Sequence, residues 1–136
     1  MYMIQIESDG NGLRAGRQEV LLQTAFDERQ VSFSPDGRWF AYVSNESGTS
    51  EPYVRSFPDK GGKWQISNGG AAVPIWSRNG RDLFFNSLDR RIMMVSYTAK
   101  GDSFEAGSPT VWSQHQLPEG LIAYDVSPDG KRVAAI

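Results

Sequence analysis

Apolar and polar residues alternate in short runs along this chain, and the runs come in pairs. Val31 and Phe33 alternate with Ser32 and Ser34, and beyond a four-residue turn Phe40 and Tyr42 resume the pattern. A period of two over so few residues predicts half-buried strands joined as a hairpin. The same arrangement occurs three times, around Ser34-Pro35-Asp36-Gly37, Ser77-Arg78-Asn79-Gly80 and Ser127-Pro128-Asp129-Gly130. Proline at the second position presets φ to about −65°, and Asp or Asn tolerates the third position of a type I turn. Glycine follows where the chain needs positive φ.

Each hairpin, read as strands a and b, is followed by a second pair. Tyr53-Val54-Arg55-Ser56-Phe57 matches Met93-Met94-Val95-Ser96-Tyr97, and both match Tyr2-Met3-Ile4-Gln5-Ile6; these read as strand c. After polar stretches (Gly10 to Gly16, Asp59 to Lys63, Ala99 to Pro109) come shorter apolar runs, Val20-Leu21-Leu22, Trp64-Gln65-Ile66 and Val111-Trp112, which read as strand d. The serines of the turns, Ser34, Ser77 and Ser127, lie 43 and 50 residues apart. Short strands recurring every 40–50 residues or so indicate β-propeller blades. The fold class is therefore all-β, a β-propeller with three blades' worth of strands. The expected divisions are 1–23 (a c-d half-blade), 24–67 and 68–113 (whole blades), and 114–136 (an a-b half-blade).

Three blades do not close a ring, since propellers typically hold 4–8. The bare b and c edges at the two ends are each a template for another strand. Two accounts stay open: a homodimer in which two such chains form a six-bladed ring, and a piece of a longer protein. Two-fold closure is the commonest oligomer symmetry.

The motif Ser-Pro-Asp-Gly-Arg/Lys before an apolar strand, with Pro74-Ile75-Trp76-Ser77 in the middle copy, resembles the TolB-like propeller family. Ser67-Asn68-Gly69-Gly70 resembles that family's blade-to-blade crossover. Tyr124 to Arg132 is similar to the propeller regions of some bacterial membrane-bound serine/threonine kinases. The resemblance covers nearly the whole chain. It implies a six-bladed fold, a role in protein interaction and a periplasmic or extracellular location, although Met1 to Ser8 has no signal-peptide pattern.

Composition narrows the function further. A net charge of −2 gives no electrostatic case for nucleic acid or an anionic membrane. No apolar run is long enough to span a bilayer. With no cysteine there is no thiol chemistry, and one histidine supplies too few ligands for a metal site. No cofactor is expected. His115 falls in a surface loop by pattern, and no Gly-x-Ser-x-Gly nucleophile elbow accompanies it. Asp36 and Asp129 are accounted for by their turns. Asp125 differs, because it lies within strand a, which lines the channel of a propeller; a bond to a neighbouring backbone is its plainer reading.

The b–c and d–a connections emerge on one face. They are residues 45–50, 87–91, 24–29, 68–73 and 114–121, and they carry Glu46, Asp89, Arg90, Arg29, Asn68 and His115. Mixed charge of this kind suits a protein or peptide partner, and equally plain solvent. Trp39, Trp64, Trp76, Trp112, Phe33 and Phe40 recur in phase with the repeat and are expected to pack between blades. The favoured reading is a non-catalytic protein-interaction or assembly module. The alternative is a glycan-binding or glycoside-cleaving propeller with channel carboxylates.

Overall fold

A strand that is apolar on both faces must be covered on both, and here the covering is done by neighbouring sheets. The computed structural model describes residues 1–120 and 123–136; Leu121, the end of the expected 114–121 connection, lies outside them. There is no helix among the described residues. The strands are β1 (Tyr2–Ser8), β2 (Leu13–Val20), β3 (Glu28–Phe33), β4 (Trp39–Ser44), β5 (Glu51–Ser56), β6 (Lys63–Gln65) and β7 (Ala71–Trp76). They continue as β8 (Asp82–Ser87), β9 (Arg91–Lys100), β10 (Ser103–Ala106), β11 (Thr110–Gln116), β12 (Tyr124–Val126) and β13 (Val133–Ala135). Four antiparallel sheets result: β1-β2, β3-β4-β5-β6, β7-β8-β9 with β10 and β11 both on β9, and β12-β13.

The three hairpin turns share one geometry. Gly37, Gly80 and Gly130 stand at φ 67°, 68° and 67°, and each donates its N–H to the serine carbonyl three residues back, at 2.9, 3.2 and 2.8 Å. The side chain at the third position closes the turn. Asp36 Oδ1 accepts from Ser34 Oγ and Arg38 N, Asn79 Oδ1 from Arg81 N, and Asp129 Oδ1 from Ser127 Oγ and Lys131 N.

Three clusters lie between the sheets. Met1, Leu21 and Leu22 cover Phe40, Tyr42 and Tyr53. Trp39, Ala41 and Val54 pack with Trp76, Leu83, Phe85, Val95 and Tyr97. Phe84 and Ile92 pack with Tyr124 and Val126. Alternation along β4 divides its residues between the first two clusters, as the pleat requires. Of the aromatics read as packing, Trp39, Phe40 and Trp76 are buried and Trp64 and Trp112 partly so. Phe33 is more open, edge-on to Phe57 at 5.1 Å.

The third sheet corrects the expected polar connection from Ala99 to Pro109. β9 runs on to Lys100, turns at Gly101 and Asp102, and returns as β10. Phe104, only 2% exposed, stacks on Tyr97 at 5.1 Å and lies 5.3 Å from Trp39. A single phenylalanine between Ser103 and Glu105 is a short alternation, which a composition-based reading passes over. The outer strand is thus split in two, with Gly107-Ser108-Pro109 between β10 and β11. β11 in turn extends to Gln116, so His115 stands on a strand and not in a loop. Its pairing with β9 is interrupted between Val111 and Gln116, and the polar residues there need no buried partner.

Two outcomes follow from the turns. An added Cβ at Gly37 meets nothing within 4 Å, so only backbone strain opposes a side chain there. Gly37→Ala is expected to cost about 1 kcal/mol in urea unfolding and Gly37→Asn less, because asparagine tolerates this region. In acid, burial raises the Asp36 carboxyl, but the bonds from Ser34 and Arg38 outweigh it and hold the group below the usual carboxylate range. The Ser127 hydroxyl does the same for Asp129. A depressed folded value stabilises above the unfolded pKa of about 3.9 and loses that contribution as pH falls through the folded value. Replacing both residues with Asn, as Asn79 stands naturally, should flatten the fall in unfolding midpoint below about pH 4.

Candidate functional site

The rim that carries the b–c and d–a connections is held by bonds between successive elements. In the second sheet, Asp27 N donates to Asn45 Oδ1 at 3.0 Å, and Arg29 Nη2 donates to Ser50 Oγ at 2.8 Å. Lys63 Nζ lies 2.6 Å from Glu46 Oε2. The other oxygen of Glu46 is buried without a hydrogen-bond partner among the described residues. In the third sheet, Arg90 pairs with Glu119 at 3.2 Å, Leu117 N donates to Arg90 O at 2.7 Å, and Gln116 Nε2 donates to Asp89 O at 3.0 Å. The Ser87 hydroxyl and the Arg91 guanidinium hold the Asp89 carboxyl below its usual range. Arg90 takes φ 64°, the left-handed turn position of that hairpin.

The rim is anchored by a residue that composition did not single out. Glu51 is 0% exposed. Its carboxylate accepts from Gly70 N at 2.6 Å, from Thr49 Oγ1 at 3.0 Å and from Ser67 Oγ at 2.5 Å. One side chain therefore ties the b–c turn, the end of β6 and the crossover into the next sheet. A buried carboxylate is tolerated only when its lone pairs are occupied, and charge-assisted bonds of this kind are the strong ones. Repeat alignment would have flagged the position, because it sets Glu51 against Arg91, opposite charges at the start of strand c.

Beside this clamp lies a cleft of about 610 Å³ between the second and third sheets. Asn68, Gln65 and Ser67 line one side, and Ser87, Met93 and Ser108 the other. Its lining carries no charged residue, while Gly69, Gly70 and Gly107 leave backbone open to approach. Asn68 is thus at the cleft, Glu46 and Arg29 are on the second sheet's rim, and Asp89 and Arg90 are on the third's. Arg29 belongs to the start of β3 and not to the connection before it.

His115 is exposed on β11, its own N–H bonded to Ser113 Oγ at 3.2 Å. Asp125 is exposed at the centre of β12, and its Oδ1 accepts from Val126 N at 2.8 Å, a bond within its own strand. No hydrogen bond or ion pair joins any two of these seven residues. No group of three or more His, Asp or Glu among the described residues could hold a metal.

Nearer the centre, the innermost strands are strained and linked. Gln30 and Val73, equivalent positions 43 residues apart, take φ 57° and 51° within bulges of β3 and β7. For a β-branched residue this is an outlier. Val73 N donates to Gln30 Oε1 at 3.0 Å, and Val73 O accepts from Tyr124 Oη at 2.8 Å. Burial pushes the Tyr124 phenol well above its ordinary range. Trp76 Nε1 donates to Ser32 O at 3.0 Å. β3 is thus linked to β7 by two side-chain bonds, and β7 to β12 by one.

The Glu51 clamp yields a direct test. Glu51→Gln should lower stability by about 1–3 kcal/mol in chemical denaturation, since one of the two accepting oxygens becomes an NH2 group that cannot accept from Gly70 N–H, Thr49 Oγ1 or Ser67 Oγ. Glu51→Ala should cost at least as much and expose the 67–70 crossover to proteolysis. An unchanged unfolding midpoint in both variants would show that the crossover does not depend on this carboxylate.

No family model matches the chain, and no curated protein matches it. Among solved structures it is similar to one described as "putative TolB from Agrobacterium tumefaciens", with a TM-score of 0.52 and 16% sequence identity. That likeness covers 81% of this chain and 46% of the other, so this chain spans less than half the length of its structural neighbour. At such identity the likeness speaks for fold alone, and the fold is that of a TolB-like β-propeller, here in part.

Proposed function

We propose that this chain is a non-catalytic recognition module that takes a protein or peptide segment at its b–c and d–a rim. The observation that carries the reading is the uncharged cleft framed by tethered loops. Glu51, Arg29, Lys63 and Arg90 hold the surrounding turns through bonds to their neighbours. A surface fixed before binding loses less conformational freedom when a partner arrives. The cleft offers amide and hydroxyl groups from Gln65, Asn68 and Ser87 beside the apolar Met93 and Phe85. That mixture suits a neutral stretch of polypeptide, with the charged Glu46, Asp89 and Arg90 set around it as a rim.

The test uses peptides selected from a random displayed library against the whole chain. Asn68→Trp, which fills the cleft from an exposed position, should weaken a selected peptide about tenfold, or about 1.4 kcal/mol, with the unfolding midpoint unchanged. Failure to enrich any peptide, or binding indifferent to Asn68→Trp, would remove the cleft from the account. Hydrolysis of a chromogenic glycoside that disappears in Asp125→Asn would replace recognition with glycoside cleavage.

A further inference from the structure

Asn11, Asn68 and Asn79 each precede a glycine. Asparagine is a heat-labile residue. A following glycine removes the side chain that would hinder attack on its amide by the next backbone nitrogen. The structure separates the three by what holds the reacting atoms.

Asn79 is held throughout. Its Oδ1 accepts from Arg81 N at 2.8 Å and Asp82 N at 3.3 Å, and its Nδ2 donates to Asp82 Oδ2 at 2.7 Å. The attacking nitrogen is engaged as well, since Gly80 N donates to Ser77 O at 3.2 Å. Attack there must first break the turn. Asn68 is the opposite case. Asn68 and Gly69 are both exposed. Neither the Asn68 amide nor the Gly69 N–H has a hydrogen-bond partner among the described residues; the bonds of this crossover fall on either side, from Ser67 Oγ and Gly70 N to Glu51. A Cβ built on Gly69 meets nothing within 4 Å, so the approach to its nitrogen is open. Asn11 is also exposed, in the turn between β1 and β2, and only its backbone N is bonded, to Asp9 Oδ1 at 3.1 Å.

We propose that Asn68 is a site of spontaneous deamidation, through which the chain converts its neutral cleft into an anionic one. The Gly69 nitrogen loses its proton and bonds to Asn68 Cγ. The Cγ–Nδ2 bond breaks, and ammonia leaves with a proton in exchange, closing a cyclic imide. Water then opens the ring. Cleavage at Cγ gives aspartate, and cleavage at the backbone carbonyl gives isoaspartate. The sum consumes one water and releases one ammonia, with no change of oxidation state.

The consequence for binding rests on the recognition role proposed for the cleft. No charged residue lines it. A carboxylate at position 68 must be desolvated when a neutral segment covers it, which costs affinity, while a basic segment gains a complementary charge. The isoaspartyl form also lengthens the backbone between Ser67 and Gly70, both of which are held by Glu51.

The test is a time course of the intact chain in warm, mildly alkaline buffer, digested and read by mass spectrometry for amide-to-acid conversion at each asparagine. Asn68 and Asn11 should convert several times faster than Asn79 in the folded chain. In denaturant, where the turn bonds are gone, all three should convert at similar rates. Gly69→Ala should slow conversion at Asn68 several-fold and leave Asn11 as it was. The added methyl has room and the position needs no positive φ, so the unfolding midpoint should not fall. Conversion of Asn79 as fast as Asn68 in the folded chain, or an Asn68 that stays intact while Asn11 converts, would overturn the proposal. This mapping uses no peptide, so its failure is separate from a failure of recognition at the cleft. Asn68→Asp, the product of the reaction, should weaken a selected neutral peptide about tenfold. Equal affinity for the two forms would overturn the change of the cleft.

Discussion

Each sheet in this fold has two apolar faces and can bury neither alone. That constraint organises the molecule. Trp39 and Phe40 are neighbours in sequence, yet they serve different interfaces, one toward the third sheet and one toward the first. Stability is therefore shared between sheets, and each cluster contains residues from two of them. The clusters grow richer toward the middle, where Trp39, Trp64, Trp76, Tyr97 and Phe104 form a continuous aromatic group. At the outside of the chain, the same requirement leaves a face of β1-β2 uncovered.

Packing alone does not fix how far one sheet rotates against the next. The strand a links supply that. A bulge with a left-handed residue turns the backbone of β3 and β7 at the same repeat position, and polar groups there reach the adjacent strand. Strain of this kind persists where the surroundings over-determine it. The outer edge is managed differently. β10 is short, β11 is irregular between Val111 and Gln116, and Gly107-Ser108-Pro109 separates them, so the widest sheet offers no long flat row of unpaired backbone groups to another chain.

The sequence carried the architecture because three turns repeat with the same chemistry. Serine, Asp or Asn, and glycine each have one geometric task, and a pattern with a task is legible. What was hard to see came from features without a repeat. Phe104 is one apolar residue in a polar stretch, and its burial depends on a hairpin that a turn at Gly101 makes possible. His115 sits in a strand because β11 tolerates unpaired residues at its bulge, which no periodicity reveals. The rim candidates were placed on one face by topology, but what binds them together, Glu51, is a lone carboxylate. Only contacts from three separate segments make it central, and two of them, from Ser67 and Gly70, come from 16 and 19 residues away.

Glu51 also bears on how a chain of near-identical units avoids confusing them. Repeat proteins risk docking a segment one unit out of place during folding, with most hydrophobic contacts preserved. Here the position equivalent to Glu51 holds Arg91. Strand c of the third sheet, paired in place of the second's, would bring a guanidinium, which has donors and no acceptor, to the Gly70 amide and the Ser67 hydroxyl. Such an exchange sets a cation against donors, which the native pairing does not. One charge reversal between two equivalent sites thus acts as an address, telling the second blade from the third where their apolar cores would not.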